Sequence, residues 1–404
     1  MGYQQGLSGL AASSNDLDVI GNNIANANTV GFKESTAQFA DIYANTLATS
    51  VNNQIGLGAM QSEVQQDFSQ GTINSTGQAL NVAINGNGFF QMSNNGTLTY
   101  SRNGVFSLSA NGNIVNAQGL ELMGYAANSS GVVNTAATVP LTIPTTNIAP
   151  QATTSVTAQL NLNSQATTPT DTTFSASDSN SYNYSTSVQT YDSLGGTQQV
   201  NMYFVKDTTA NTWDVYAGAS GSTPTDVGQM TFSTSGTLTT PTNGQFTMTL
   251  PTTDGSSTPQ SITLNFSGTT QYGSANGVNN LTPNGYAAGQ LSNFTIGQDG
   301  TITGNYSNGQ TMALGQVVLA NFNNPNGLLN LGGNEFQQTA ASGSPQISAP
   351  GATNHGTLTG GAVEESNVDL TNQLVDLITA QRNYQANAQT IKTQQTVDQT
   401  LLQL

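Results

Sequence analysis

The sequence predicts a mainly β protein with long α-helical termini, and three observations carry that expectation. Apolar residues recur at seven-residue spacing at both ends, ten Asn-Gly pairs punctuate the middle, and 43 of 404 residues are Gly. Sevenfold spacing puts side chains on one stripe of a helix, whereas Asn-Gly supplies the positive φ angles of tight hairpins. The terminal helices are expected to form a coiled-coil-like inner domain, with two β domains nested between them as discontinuous insertions. The expected boundaries are 1–28 plus 364–404 for the helical domain and 29–70 for a connector. Residues 71–146 plus 286–363 form the first β domain, and 147–285 an inserted outer β domain.

The first element is a helix over 1–28, in which Tyr3, Leu10, Leu17 and Ile24 lie seven apart and Leu7 precedes Leu10 by three. Gly2, Gly6, Gly9 and Gly21 each cost a helix about 1 kcal/mol against Ala, so it needs a partner. It ends in the run Asn22-Asn23-Ile24-Ala25-Asn26-Ala27-Asn28-Thr29-Val30-Gly31-Phe32-Lys33. Gly31 allows a sharp exit, and buried Asn amides at a helix end cross-link neighbours in a defined register.

In the first β domain the Asn-Gly pairs at 87, 95, 103 and 111 recur every eight residues, which predicts an antiparallel meander. From about 147 to 285 the composition shifts to Thr, Ser and Gly, with strands expected at Val200–Val205 and Ser261–Phe266. Ile143-Pro144 and Pro283-Asn284-Gly285 bracket this insert.

The last element is a helix in which Leu370, Leu377, Tyr384 and Ile391 lie seven apart, interleaved with Leu374, Ala388 and Leu402. Ser366 and Asp369 resemble a capping box, and Glu364 and Glu365 suit the positive end of the helix dipole. The shorter N-terminal stripe cannot cover this longer one. The termini are therefore expected to pair in part and to leave apolar surface for other copies.

Composition excludes much else. Five Lys plus Arg against twenty-one Asp plus Glu give a charge of -16, which repels nucleic acid and anionic lipid. With no Cys and one His, thiolate chemistry, Cys/His zinc sites and a His-centred triad have few candidates. No apolar run suits a bilayer crossing, and neither membrane insertion nor a cleaved signal peptide is expected. Asp254-Gly255 and Asp299-Gly300 read as turns rather than metal loops, Gly86-Asn87-Gly88 is too short for a nucleotide loop, and His355 has no metal partner in sight. Asp192, Asp207 and Asp214 near Trp213 are the one cluster that suggests glycoside hydrolysis, and they read more simply as a solvated rim beside a core Trp. No catalytic, metal or cofactor-binding residue is assigned, no cofactor is expected, and the chain is read as a non-enzyme.

Several motifs carry a resemblance. Gln5-Gly6-Leu7-Ser8-Gly9-Leu10 through Gly31-Phe32-Lys33, Asn85 to Phe90 and Tyr100 to Phe106 resemble the rod and hook class of bacterial flagellar axial proteins. Gly285 to Gly289, Asn305 to Gln310, Leu314 to Val317, Asn324-Pro325, Ser342-Gly343 and Gln381 to Asn387 look like the flagellar hook protein family in particular. One departure is Ser109, where that family usually has Asp. Some hook proteins cross-link through cysteine, which this chain lacks. The resemblance implies a subunit exported unfolded through the flagellar type III channel, without a cleaved signal peptide. It would polymerise outside the cell into a flexible tube, the universal joint between rod and filament. Implied partners are other copies, the distal rod, the hook cap, the hook-filament junction proteins and the export apparatus. Alternatives are another axial protein (distal rod or hook-associated), or a secreted β-rich adhesin or carbohydrate-binding protein. The last leaves the terminal heptads unexplained.

Overall fold

The computed structural model describes residues 2–42, 56–252 and 254–402. It is mainly β, with one helix near each end: α1, Gly2–Ala25, and α2, Leu370–Leu402. The chain divides into two units, one of Met1–Thr145, Asn293–Asn305 and Thr311–Leu404, the other of Thr146–Ser292 and Tyr306–Gln310.

In the first unit, α1 stops short of residue 28. The Asn26 side chain donates back to the Asn22 carbonyl (2.9 Å), and Gly31 turns the chain out at φ +72°. The exit leads into Ser35–Ile42, which pairs antiparallel with Gly58–Gln66. The expected connector is thus a β-hairpin over its described part, and its residues 43–55 lie outside the described residues. At the other end α2 begins later than the sequence suggests. Asp369 is its cap, its Oδ1 accepting from the backbone N–H groups of Thr371 (2.8 Å) and Asn372 (3.3 Å), while Ser366 Oγ accepts from Val368. Glu364 ends the strand Ala362–Glu364 and is buried, so it does not serve a helix dipole.

Outgoing and returning segments pair strand by strand. Ile73–Ser75 takes Ala362–Glu364, Val82–Asn85 takes Thr357–Gly360, and Phe89–Asn94 takes Leu319–Asn321. The meander is partial. Asn95-Gly96 closes the hairpin of Phe89–Asn94 with Thr97–Ser101, and Gly112 turns Ser107–Leu108 back on Ile114–Val115. Ser109 still serves that turn, its hydroxyl accepting from Asn113 N–H (3.1 Å). Asn87-Gly88 and Asn103-Gly104 close no hairpin. Gly104 instead lies where a Cβ would overlap the Val82 carbonyl, a close approach that only Gly permits. Phe89, Tyr100, Phe322 and Phe336 form an aromatic core, with Phe68 set edge-on to Phe89 and Phe336.

The second unit is built from two sheets. One is antiparallel, in the order Tyr184–Tyr191, Thr197–Lys206, Thr212–Ala219, Thr225–Phe232, Leu238–Thr240. The other runs Gln245–Leu250, Gln260–Asn265, Ser155–Asn161, Gly277–Pro283, and its central pair is parallel. Alternate residues of each, such as Val200, Met202, Phe204 and Val156, Ala158, Leu160, meet in one core around Trp213.

Candidate assembly surface

α1 and α2 run antiparallel. Asn23 Nδ2 reaches Gln373 Oε1 (3.1 Å) at one end of the contact, Asn387 Nδ2 reaches Ser13 Oγ (3.3 Å) further along, and Gly6 abuts Ile391 beyond that. The inward residues of α2 are Gln373, Leu377, Ala380, Asn387, Ala388, Ile391 and Gln394, with Tyr384 at the edge. Positions 377, 384 and 391 are those the sevenfold spacing predicts. Their companions are Gln373, Ala380 and Asn387, with Ala388 half-buried beside Asn387 and Leu374 turned out.

The opposing face of α1 explains this choice. A Cβ at Gly6 would lie 2.9 Å from Ile391 Cγ1, and one at Gly9 would lie 2.8 Å from Asn387 Oδ1. Small residues let the backbones approach, and buried amides on α2 then find partners on α1. Leu10, Leu17, Ile24, Leu377, Ala388 and Ile391 are half-buried, whereas Tyr3 and Leu7 are exposed. Several large apolar side chains of α2 face away: Leu370, Leu374, Val375 and Ile378 are 47, 45, 58 and 52% exposed. The side chain of Leu402 lies outside the described residues.

The Asn-rich run fastens this helix pair to the strands. Asn23 is buried, its Nδ2 donating also to Ser35 O (2.8 Å) and its Oδ1 accepting from Ser35 N–H (3.0 Å). Gln373 passes the chain on to Glu34 Oε1 (2.8 Å). Asn22 and Asn26 bond each other, Asn28 is exposed and Phe32 is half-buried. Gly31 donates its N–H to the Glu364 carbonyl (2.8 Å), and a Cβ there would meet the Asn103 backbone.

Lys33 ends the run in a buried ionic hub that pattern reading does not find. Its Nζ lies 2.8 Å from Glu364 Oε1 and donates to Ser69 O (2.6 Å). Arg102 holds the other side of the same carboxylate at 3.0 Å and donates to the carbonyls of Gly86 and Gly88. Gly71 N–H completes the set (2.9 Å). Burial alone pushes the Glu364 carboxyl up, but Arg102 and Lys33 outweigh it and hold the group below its ordinary range. Burial, with Arg102 beside it, pulls the Lys33 ammonium down. The available signal was scarcity: of only five Lys plus Arg in the chain, two fall within the Gly31-Phe32-Lys33 and Tyr100 to Phe106 motifs.

The catalytic candidates fall elsewhere. Trp213 is fully buried, so it offers no sugar platform. Asp192 Oδ1 accepts from the N–H groups of Leu194 and Gly196, and Asp207 and Asp214 share the Gln229 amide. Asp254 and Asp299 hold turns through Ser256 and Thr301. Both ring nitrogens of His355 meet backbone carbonyls. Among the described residues, no three His, Asp or Glu side chains are grouped to hold a metal, and no helix is long and apolar enough to cross a membrane.

Four families match in sequence order: flagella basal body rod protein at 4–33, flagellar hook protein FlgE/F/G D1 domain at 83–161, flagellar basal body protein FlaE D2 domain at 161–286, and flagellar basal body rod FlgEFG protein C-terminal at 359–404. The flagellar hook protein FlgE of Salmonella typhimurium is 44% identical over the whole of both chains. The chain belongs to the flagellar hook protein FlgE family. The FlgE of Escherichia coli is likewise 44% identical over full length, and that of Treponema pallidum 33% identical over 99% of this chain and 98% of its own. A crystal structure of Helicobacter pylori hook protein FlgE2 shares the fold, with a TM-score of 0.53 at 15% identity over 72% of this chain and all of the other. The full-length FlgE match includes the insert, which favours a hook subunit over a rod protein or an adhesin. FlgE is a structural family of the hook and basal body, and its helical ends fall within the rod-type matches at 4–33 and 359–404.

Proposed function

We infer that the chain is a structural, non-enzymatic subunit of the bacterial flagellar hook. It self-assembles through its terminal helices into a flexible helical tube and passes motor torque from rod to filament. In this reading residues 1–28 plus 364–404 form a coiled-coil-like domain lining the tube, and the two β domains are nested insertions within it. Export is through the flagellar type III channel, and the partners beyond other copies are the distal rod, the hook cap and the junction proteins.

The observation that carries the reading is the apolar face of α2. Leu370, Leu374, Val375 and Ile378 stand half in solvent although α1 is already in place. Full burial of such side chains contributes about 1.5–3 kcal/mol each, so covering the exposed half of four gives roughly 3–6 kcal/mol. Contacts between unlike faces of identical subunits do not close on themselves, and so build helical tubes.

Electron microscopy of the concentrated purified protein tests the reading, with tubes as the expected result. Leu374→Asp and Ile378→Asp should each abolish tubes while changing monomer stability by no more than about 0.5 kcal/mol, as exposed positions allow. Normal tubes from either variant would contradict the assignment of this face.

A further inference from the structure

The placement of positive charge suggests how neighbouring copies engage. Of the five Lys and Arg side chains, Lys33 and Arg102 are committed to Glu364, and Lys206 is buried with its Nζ 4.9 Å above the Trp213 ring. The remaining two, Arg382 and Lys392, are both exposed on α2, and neither is in an ion pair among the described residues.

The same helix borders a cleft of about 270 Å³ between α1, α2 and the strand Ser35–Ile42, walled by Asp16, Glu34 and Asp376. Burial, then the neighbouring Asp376, pushes the Asp16 carboxyl up; burial, then Asp67 and Asp376, does the same for Glu34. Asp376 thus acts on both of the other two carboxylates lining the cleft, and Gln373 is the one side chain that eases Glu34. At about 100° per residue, Arg382 and Lys392 point roughly 120° and 160° away from Asp376 around α2. Their own cleft is therefore out of reach, while the cleft of a copy lying alongside is not.

We propose that Arg382 and Lys392 of one copy seat against the Asp16–Glu34–Asp376 cleft of the next, so that the outer face of α2 docks on a second copy by charge as well as by apolar contact. The pairing joins two different patches, which is the heterologous geometry an open helical array needs. Complementary charge selects register and partner more than it adds affinity. The weakly charged composition sharpens this selection, because no other exposed side-chain cation competes for the cleft. The proposal rests on the tube reading above, and its test separates the two.

The test compares the critical concentration for polymerisation, by sedimentation at about 0.15 M ionic strength, of wild type and two reversed variants, Arg382→Glu/Lys392→Glu and Asp16→Lys/Asp376→Lys. Each variant alone should raise the critical concentration at least about tenfold, because like charges then meet at every contact. An equimolar mixture, in which the two alternate, should return it to within about twofold of wild type. The milder Asp376→Asn, at an exposed position, should raise it about threefold with helix content unchanged. Wild-type behaviour of a reversed variant alone, no rise with Asp376→Asn, or a mixture that fails to recover overturns the pairing while tubes of wild type leave the hook reading intact. Absence of tubes from wild type itself would overturn the hook reading and this proposal with it.

Discussion

Glu364 shows how much one residue can organise. It takes two cations and a backbone N–H out of water together, and its strand, the segment after α1 and the 69–71 loop all meet on its side chain. Removing the charge from such a group leaves two buried cations facing each other, at a cost on the order of 3–5 kcal/mol. Glu364→Gln should therefore lower the urea midpoint of the first unit, followed by far-ultraviolet circular dichroism; an unchanged midpoint would mean that solvent reaches the hub. The acid behaviour follows from the sign of the shift. The folded carboxyl titrates below its ordinary 4.5, so its contribution is complete above that value and is lost as pH falls through the folded one. Acid unfolding of this unit should thus begin below about pH 4.5, with a shallower acid limb in the Gln variant.

For the elements, the helix pair trades hydrophobic area for closeness. Gly6 and Gly9 weaken α1 as an isolated helix, yet at both of them α2 comes too near for a Cβ. Gly9→Leu would strengthen the intrinsic helix while driving a side chain into the Asn387 amide, which bonds Ser13. Overpacking of this kind costs about 1–3 kcal/mol, more than the roughly 1 kcal/mol gained in propensity. Limited proteolysis of dilute monomer should then cut within residues 2–25 faster than in wild type; equal rates would show that α1 is held by the strands rather than by α2. The heptad spacing located the stripe on α2 but not its second row. Position 374 suits a leucine-zipper seam, whereas a glycine-lined partner selects the amide and alanine row at 373, 380 and 387.

Across the whole molecule, the second unit carries a core of its own. Two sheets enclose Trp213 among Val200, Met202, Phe204, Val215 and Ile262, none of which depends on the terminal helices. A protein of residues 146–292 is expected to unfold in one cooperative transition, with Trp213 emission shifted to the blue until the midpoint. Emission at the wavelength of free tryptophan in buffer would show that this core needs the rest of the chain. The first unit behaves differently, since its strand pairs join residues some 230 to 290 positions apart, such as Phe90 with Leu319 and Ile73 with Glu364. It cannot form until both halves of the chain are present.

Periodicity, turn chemistry and composition are local quantities, and by themselves they determined the helical ends, the β-rich middle and the family. Alternation at Ile262, Leu264 and Phe266 was legible because each side chain declares its face through its own neighbours in sequence. The tertiary structure alone decided which row of α2 turns inward, that the segment after α1 is a hairpin, that Asn87 and Asn103 close none, and that Glu364 lies in a buried hub. The inward row of α2 and the Glu364 hub depend on groups hundreds of residues away, the hairpin and the close approach at Gly104 on groups tens of residues away, and in each case the partner's shape or charge is invisible to a local pattern. Close approach and charge neutralisation are properties of pairs, and the pairs exist only once the chain has returned upon itself.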